Sequence, residues 1–336
     1  MDNEQLYSIA SKLVTPGKGI LAADQSAGTM NKQLVGIGVE PEPEMRRKYR
    51  QLLLTTPSLE KYVTGVILYD GTFRNQTDDG IPFVDVLVSK GIIPIIKVDK
   101  STVSMTGFAG EVVTEGLDGL KERLEEYHSM GARAAKWRAV VNIAEDLPTE
   151  ESIRFNAMQL TRYAILCQEA GIVPIVEPEV IFAGAHDLAR AEEVTTMTLQ
   201  IVFETLVKYR VDLKGMILKS SMVLAGSNHA EQTSPEQVAE ATLRTFDNSV
   251  PHEIPGIVFL SGGQTPDRAT KNLDAIAKLE NKRGDLPWEL AFSFSRGLEQ
   301  PVQNVWLGQD DKIAEAQQTL IETLKANCLA DQGELS

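Results

Sequence analysis

Cysteine is scarce in this sequence, and its scarcity excludes several classes of protein at once. The two cysteines, Cys167 inside "RYAILCQEAG" and Cys328 near the end, have neither disulfide nor metal-ligand spacing and suit a reducing compartment. The four histidines, His128, His186, His229 and His252, are scattered without any H-x-x-x-H spacing, so no metal site is expected. His186, in "GAHDLAR", reads as a loop or helix-start residue rather than a ligand. No apolar run approaches the ~18 residues of a membrane span. The N-terminal "MDNEQLYSIASKL" carries acidic residues where a signal or transit peptide would carry basic ones. Positive charge is in deficit too: Lys and Arg number 33 against 47 Asp and Glu, a net charge of −14 that opposes binding to nucleic acid or anionic lipid. These absences lead to the expectation of a cytoplasmic protein with no nucleic-acid or membrane partner.

What is present is a set of eight short strand-like runs, each stopping at a polar or glycine-rich stretch. They are "GILAAD" (19 to 24), "TGVILYD" (64 to 70), "IIPIIKVD" (92 to 99), "ARAAKWRAV" (132 to 140), "GIVPIVEPE" (171 to 179), "GMILKSS" (215 to 221), "GIVFLSGG" (256 to 263) and "ELAFSFSR" (289 to 296). Most are apolar at nearly every position, as strands of a parallel sheet covered on both faces must be. Between them the spacing is helical: Leu117, Leu120, Leu124 and Tyr127 after the third run, the glutamate-rich stretch 149 to 170 after the fourth, and Ile313, Ala316, Leu320 and Leu324 in 310 to 328. No Pro/Gly/Ser-rich linker divides the chain. The expected fold is α/β, a single (β/α)8 TIM barrel domain over 1–336 with a short N-terminal arm and a C-terminal helix and tail. A doubly wound open sheet is the rival, but the glycines of "GKGILAADQSAG" fall outside the G-x-G-x-x-G spacing that would support it.

In such a barrel the working face is the C-terminal end of the strands. The polar residues that close the runs are Asp24, Lys97, Lys136 with Arg138, Glu177 with Glu179, Lys219, Ser261 with Gly262 and Gly263, and Arg296. Side chains alternate faces along a strand, so Lys136 and Arg138 share one face, Glu177 and Glu179 share one, and Trp137 points the other way. Directed outward, those charges would be buried under helices without partners, so the barrel interior is favoured. A ring of salt bridges would need balanced charge, yet cations outnumber Asp24, Glu177 and Glu179 in a chain that is acidic overall. That local excess implies an anionic ligand. "LSGGQT" (260 to 265) with Arg296 beside it forms the turn where these barrels hold phosphate. Lys97 and Arg138 lie across the mouth and suit a second anion, so a substrate with phosphate at both ends is expected.

Lys219 stands where the apolar run "GMILKSSM" stops. A lysine with the ordinary pKa of ~10.4 is protonated at neutral pH and is no nucleophile. Burial and a neighbouring ammonium such as Lys136 both lower that value, which activates an amine for imine formation. Glu177 or Glu179 can supply the proton needed to expel water from a carbinolamine, and Asp24 can take a proton from a substrate hydroxyl. The three residue types together describe metal-free imine chemistry on a carbonyl compound.

These residues carry a resemblance. "TPGKGILAADQSAGT", "RRKYRQLLLTT", "DDGIPF", "IIKVDK", "GLDGLKERL", "GARAAKWR", "TRYAILCQEAGIVPIVEPE", "FLSGGQT" and "FSFSRGLEQ", in this order over most of the chain, resemble the class I fructose-bisphosphate aldolases. The resemblance implies a (β/α)8 barrel, usually a homotetramer, without cofactor, acting on sugar phosphates. It would cleave fructose 1,6-bisphosphate reversibly to dihydroxyacetone phosphate and glyceraldehyde 3-phosphate through a lysine Schiff base. It makes Lys219 the Schiff-base lysine, Glu177 the acid/base of the carbinolamine and imine steps, and Asp24 the base for C–C cleavage, with Lys136 and Glu179 adjusting charge around them. It matches Ser261, Gly262 and Arg296 to the ketose-side phosphate, and Lys97, Arg138, Ser26 and Thr29 to the other.

The chain departs from the family pattern in places. The family's usual E-G-x-x-L-K-P-N becomes "KGMILKSS" here, Gln25 stands where a glutamate is usual, and Gln33 stands where an arginine is usual. The chain ends at "ADQGELS", without the long tail whose terminal tyrosine assists proton exchange in many relatives. The ketose proton-transfer step is therefore expected to use another group or to run more slowly. Loss of a cation at Gln33 also leaves open a Schiff-base aldolase preferring a monophosphate or a seven-carbon bisphosphate. A non-catalytic sugar-phosphate-binding scaffold is a third reading, opposed by retention of the lysine, both glutamates and the aspartate.

Overall fold

A strand that is apolar at almost every position must hide two faces, and a closed parallel sheet wrapped in helices hides both. The computed structural model describes residues 3–335 and joins the eight runs into one parallel sheet in chain order. Its strands are β1 (Gly19–Ala23), β2 (Val63–Leu68), β3 (Ile93–Lys97), β4 (Ala134–Val141), β5 (Val173–Val180), β6 (Ile217–Ser220), β7 (Gly256–Phe259) and β8 (Glu289–Phe292). Ala22 N–H donates to Phe294 O at 3.0 Å, which brings the first strand against the end of the last and nearly closes the barrel. The expected helices are found at Leu120–Ser129, Glu150–Glu169 and Ile313–Asp331. Leu117 falls just short of the first of these, because Gly119, in the left-handed region at φ 63°, turns the chain into the helix only there.

Strand alternation sorts the side chains into two cores. Outward residues such as Trp137, Val176, Leu218 and Phe259 pack under the helices. The Trp137 ring lies 5.6 Å from that of Tyr163 on helix Glu150–Glu169, whose hydroxyl donates to Ala135 O at 2.7 Å and ties the helix to β4. Inward residues Ala22, Ile67, Ile95, Ile175, Val258 and Ala291 fill the barrel interior. The N-terminal segment, expected as a short arm, is a helix (Asn3–Leu13) that presents Leu6, Ala10 and Leu13 to that inner core. Burying Leu6 and Leu13 contributes roughly 1.5–3 kcal/mol each and seals the end of the barrel opposite the working face.

Gly19 shows how tightly β1 meets β8. A Cβ at this position would lie 2.2 Å from the Phe292 ring, so only glycine lets the two strands approach. Gly19→Val is expected to lower stability by about 1–3 kcal/mol or more through overpacking. By contrast, a Cβ on Gly28, inside helix Ala27–Gly36, meets nothing within 4 Å. Gly28→Ala should therefore be neutral or stabilising by up to ~1 kcal/mol. Urea midpoints of the two variants check both; equal midpoints would contradict the seam.

Candidate active site

Two residues beyond Ala22, Ile95, Ile175 and Ala291 the barrel interior turns polar, at Asp24, Lys97, Glu177 and Ser293. At the C-terminal ends of the strands it opens into a cavity of about 460 Å³, within the range of small-molecule sites. Asp24, Ser26, Thr29, Lys97, Lys136, Arg138, Glu177, Glu179, Lys219, Ser261, Gly262 and Arg296 all line it. Every residue singled out in the sequence is thus brought to one place.

Lys136 is the centre of the charge cluster. Its Nζ lies 2.7 Å from Asp24 Oδ2 and 2.9 Å from Glu177 Oε2, the second contact close enough for ion pairing but without hydrogen-bond alignment. Lys219 Nζ lies 3.2 Å from Glu177 Oε1, so Glu177 bridges the two lysines. Lys136, Glu177 and Lys219 are each 3% exposed, and charges this deep must be compensated by one another. Burial alone would push the Asp24 carboxyl up, but Lys136, Lys219 and Lys97 together hold it well below the usual carboxylate range. Glu177 is likewise lowered, the effect of burial being outweighed by Lys136, Lys219 and Arg138. Burial lowers Lys136, but Asp24, Glu177 and Asp99 outweigh it and hold the ammonium well above its usual range.

The pairing of Arg138 Nε with Glu179 distinguishes the two glutamates left open in the sequence. Glu177 reaches Lys219, and Glu179 is engaged elsewhere. Period-two alternation and the β4–β5 register, with Arg138 beside Glu177 and Val140 beside Glu179, produce this arrangement.

Asp99 was not singled out in the sequence, although it shares parity with Lys97 in "IIKVDK". Its carboxylate is buried, pairs with Lys97, and accepts from Ser101 N at 3.1 Å and Arg138 N at 3.3 Å. The mouth therefore holds Lys97, Lys136, Arg138, Lys219 and Arg296 against four carboxylates, Asp24, Asp99, Glu177 and Glu179, a smaller positive excess than the sequence implied. Arg296 is the cation of this set without a carboxylate partner among the described residues. It sits at the rim and makes one long contact, to Gly263 O at 3.4 Å. Gly262 and Gly263 adopt φ of 57° and 85°, a left-handed turn that side chains disfavour, and both line the cavity. Across the mouth, Ser26 caps helix Ala27–Gly36 by accepting from Thr29 N at 3.4 Å. Ser293 was also missed. It follows Ala291 by two positions, is 1% exposed, and lines the cavity with a hydroxyl that has no hydrogen-bond partner among the described residues.

The departures from pattern are absorbed locally. Ser220 Oγ donates to Ser221 O at 3.1 Å and Ser221 Oγ to Val180 O at 2.9 Å, so both hydroxyls beyond Lys219 are satisfied. Gln33 accepts from Gln303 Nε2 at 3.2 Å and presents a neutral amide to the cavity. His186 lies in the loop just before helix Leu188–Lys208. Among the described residues no group of three or more His, Cys, Asp or Glu is arranged to hold a metal ion, and no helix is long and apolar enough to cross a membrane.

The profile of the family "Fructose-bisphosphate aldolase class-I" matches residues 5–336. The chain is 49% identical over 335 residues to "Probable fructose-bisphosphate aldolase class 1" of Xanthomonas axonopodis pv. citri, covering 99% of each chain. It is 45% identical to "Fructose-bisphosphate aldolase 6, cytosolic" of Arabidopsis thaliana, covering 98% of this chain and 91% of the relative. Among solved structures, the fructose-bisphosphate aldolase of Plasmodium falciparum, crystallised with TRAP and a small-molecule inhibitor, superposes with a TM-score of 0.96 at 42% identity. That match covers 99% of this chain and 95% of the other.

Asp24 and Glu177 are both depressed in the fold from ordinary values of 3.8 and 4.5. Their stabilisation is therefore complete above that range and is lost as pH falls through the depressed values. Lys136→Met removes the strongest cause of the depression, so acid unfolding should begin at higher pH than in the parent, and the broken cluster should cost about 3–5 kcal/mol at neutral pH. Circular dichroism during acid titration measures this. An unchanged or lower acid midpoint would count against the cluster.

Proposed function

Since the chain belongs to the class-I fructose-bisphosphate aldolase family, whose members work through a lysine Schiff base without metal, we infer that it cleaves fructose 1,6-bisphosphate reversibly. The products are dihydroxyacetone phosphate and glyceraldehyde 3-phosphate, and Lys219 forms the imine. The observation that carries the assignment of Lys219 is its contact at 3.2 Å with a buried glutamate that also faces Lys136.

The cluster supports a balanced sequence of steps. Transfer of a proton from the Lys219 ammonium to Glu177 creates a neutral nucleophile and a carboxylic acid at once. The amine attacks the ketose carbonyl, and the carbinolamine loses water when Glu177 protonates the departing hydroxyl. Asp24, held ionised, takes the proton from the C4 hydroxyl. The C3–C4 bond breaks, its electron pair moves into the protonated imine to give an enamine, and the aldehyde leaves. The proton that Asp24 took is returned to the enamine at C3, and addition of one water to the imine, matching the one lost from the carbinolamine, releases the second triose phosphate and restores Lys219. Lys136 remains a fixed cation throughout and holds Asp24 as a carboxylate until the C4 hydroxyl proton passes to it.

Arg296, Ser261 and Gly262 hold the ketose-side phosphate in this reading, and Lys97, Arg138, Ser26 and Thr29 hold the other. Lys97 and Arg138 share their charge with Asp99 and Glu179, and Gln33 is neutral. That pairing favours a second reading, a Schiff-base aldolase preferring a monophosphate or a seven-carbon bisphosphate. Relatives named as cytosolic support a cytoplasmic location, and family likeness supports a homotetramer.

The test is triose phosphate release measured on fructose 1,6-bisphosphate, fructose 1-phosphate and sedoheptulose 1,7-bisphosphate. The first reading expects the highest kcat/KM on fructose 1,6-bisphosphate; a higher value on either other sugar supports the second. Lys219→Met should lower kcat by at least about three orders of magnitude. Glu177→Gln should lower it roughly 10²–10⁴-fold. Near-parental turnover in Lys219→Met would overturn the assignment.

A further inference from the structure

Gln25 lies between Asp24 and Ser26 and joins a buried network that none of the steps above uses. Arg50, on helix Pro43–Leu54, and Glu299, on helix Arg296–Trp306, form an ion pair at 3.2 Å with side chains 3% and 1% exposed. An ion pair this deep needs its remaining donors and acceptors met. The Gln25 amide meets them from both sides. Its Oε1 accepts from Arg50 Nη2, and its Nε2 donates to Glu299 Oε1 and to Ser295 Oγ, each at 2.7 Å. A side chain with both a donor and an acceptor is required here. An ionised glutamate would face Glu299 with like charge.

We propose that Gln25 is a positioning residue that clamps the end of β1, carrying Asp24 and Ser26, to the turn carrying Ser295 and Arg296, with the buried Arg50–Glu299 pair as its anchor. The proposal rests on the aldolase reading for the roles of Asp24 and Arg296, and it adds the device that fixes their separation. Ser295 immediately precedes Arg296 and leads helix Arg296–Trp306 without a side-chain cap of its own, so its hydroxyl is free to accept from Gln25. The same amide therefore sets the position of a phosphate-holding arginine and of the strand end that bears the base. The titratable and charged groups around Glu299 are Arg50 and Tyr49 from helix Pro43–Leu54 and Asp24 from the end of β1. Burial pushes the Glu299 carboxyl up, against the lowering effects of Arg50 and of the bond from Gln25.

Three variants test the clamp: Gln25→Ala, Gln25→Glu and the exchange Gln25→Glu with Glu299→Gln. Loss of hydrogen bonds to a buried charge should raise KM for fructose 1,6-bisphosphate about tenfold in Gln25→Ala. The fall in kcat should be smaller, because Asp24 keeps its Lys136 contact at 2.7 Å. Gln25→Glu sets two carboxyls against one guanidinium. One of them holds a proton at low pH, and its loss opens the clamp, so KM should climb with pH in this variant and not in the parent. The exchange moves the carboxylate to a position Arg50 already touches and should restore KM to within about threefold of the parent. Parental constants in Gln25→Ala, or an exchange no better than Gln25→Glu alone, would overturn the proposal. Affinity for inorganic phosphate, measured by calorimetry on the same proteins, reads the clamp independently of cleavage. A parent chain that released no triose phosphate would therefore count against the aldolase reading and not against the clamp.

Discussion

The contact between Lys136 and its two carboxylates, Asp24 and Glu177, is the constraint on which the mouth of the barrel depends. A buried ammonium with two anionic neighbours stays charged, and each neighbour stays a carboxylate because of it. That arrangement serves packing and chemistry together. It joins three strands around a polar interior, and it leaves one carboxylate, Glu177, shared with a second lysine, Lys219, at 3.2 Å. In the proposed mechanism a proton passes from Lys219 to Glu177, a transfer that leaves the net charge of the buried group unchanged.

The surrounding cations are graded by how fully they are neutralised. Lys97 and Arg138 each carry a carboxylate partner, whereas Arg296 has none among the described residues and lies at the exposed rim beside a turn built of two glycines in left-handed conformations. An anion entering the site meets, at one end, an arginine with no carboxylate partner among the described residues and, at the other, cations already paired. Unequal grip on the two ends of a substrate follows from this. It is the reason the choice among sugar phosphates depends on residues other than Lys219.

Much of this was legible in the chain because a parallel barrel writes itself in two simple patterns. All-apolar runs marked the eight strands, and period-two alternation put Lys136 with Arg138, and Glu177 with Glu179, on the inner face. Alternation could not say which glutamate would reach Lys219, since that depends on the relative rise of neighbouring strands. Asp99 escaped notice because a carboxylate two residues past a lysine reads as a solvated loop until the loop folds back over Arg138 N. Arg50 and Glu299 were hidden for a different reason. They are far apart in sequence, and only tertiary packing buries one against the other. The N-terminal helix was underestimated because an amphipathic segment before the first strand looks like an arm until Leu6, Ala10 and Leu13 meet the open end of a barrel.

The most direct test of the account is chemical trapping of the covalent intermediate. The protein is incubated with dihydroxyacetone phosphate and borohydride, and the modified peptide is mapped by mass spectrometry. The account predicts one reduced adduct, on Lys219, formed equally well in the presence of a chelator. An adduct on Lys136 or Lys97 instead, or cleavage activity that a chelator abolishes with no adduct formed, would contradict it.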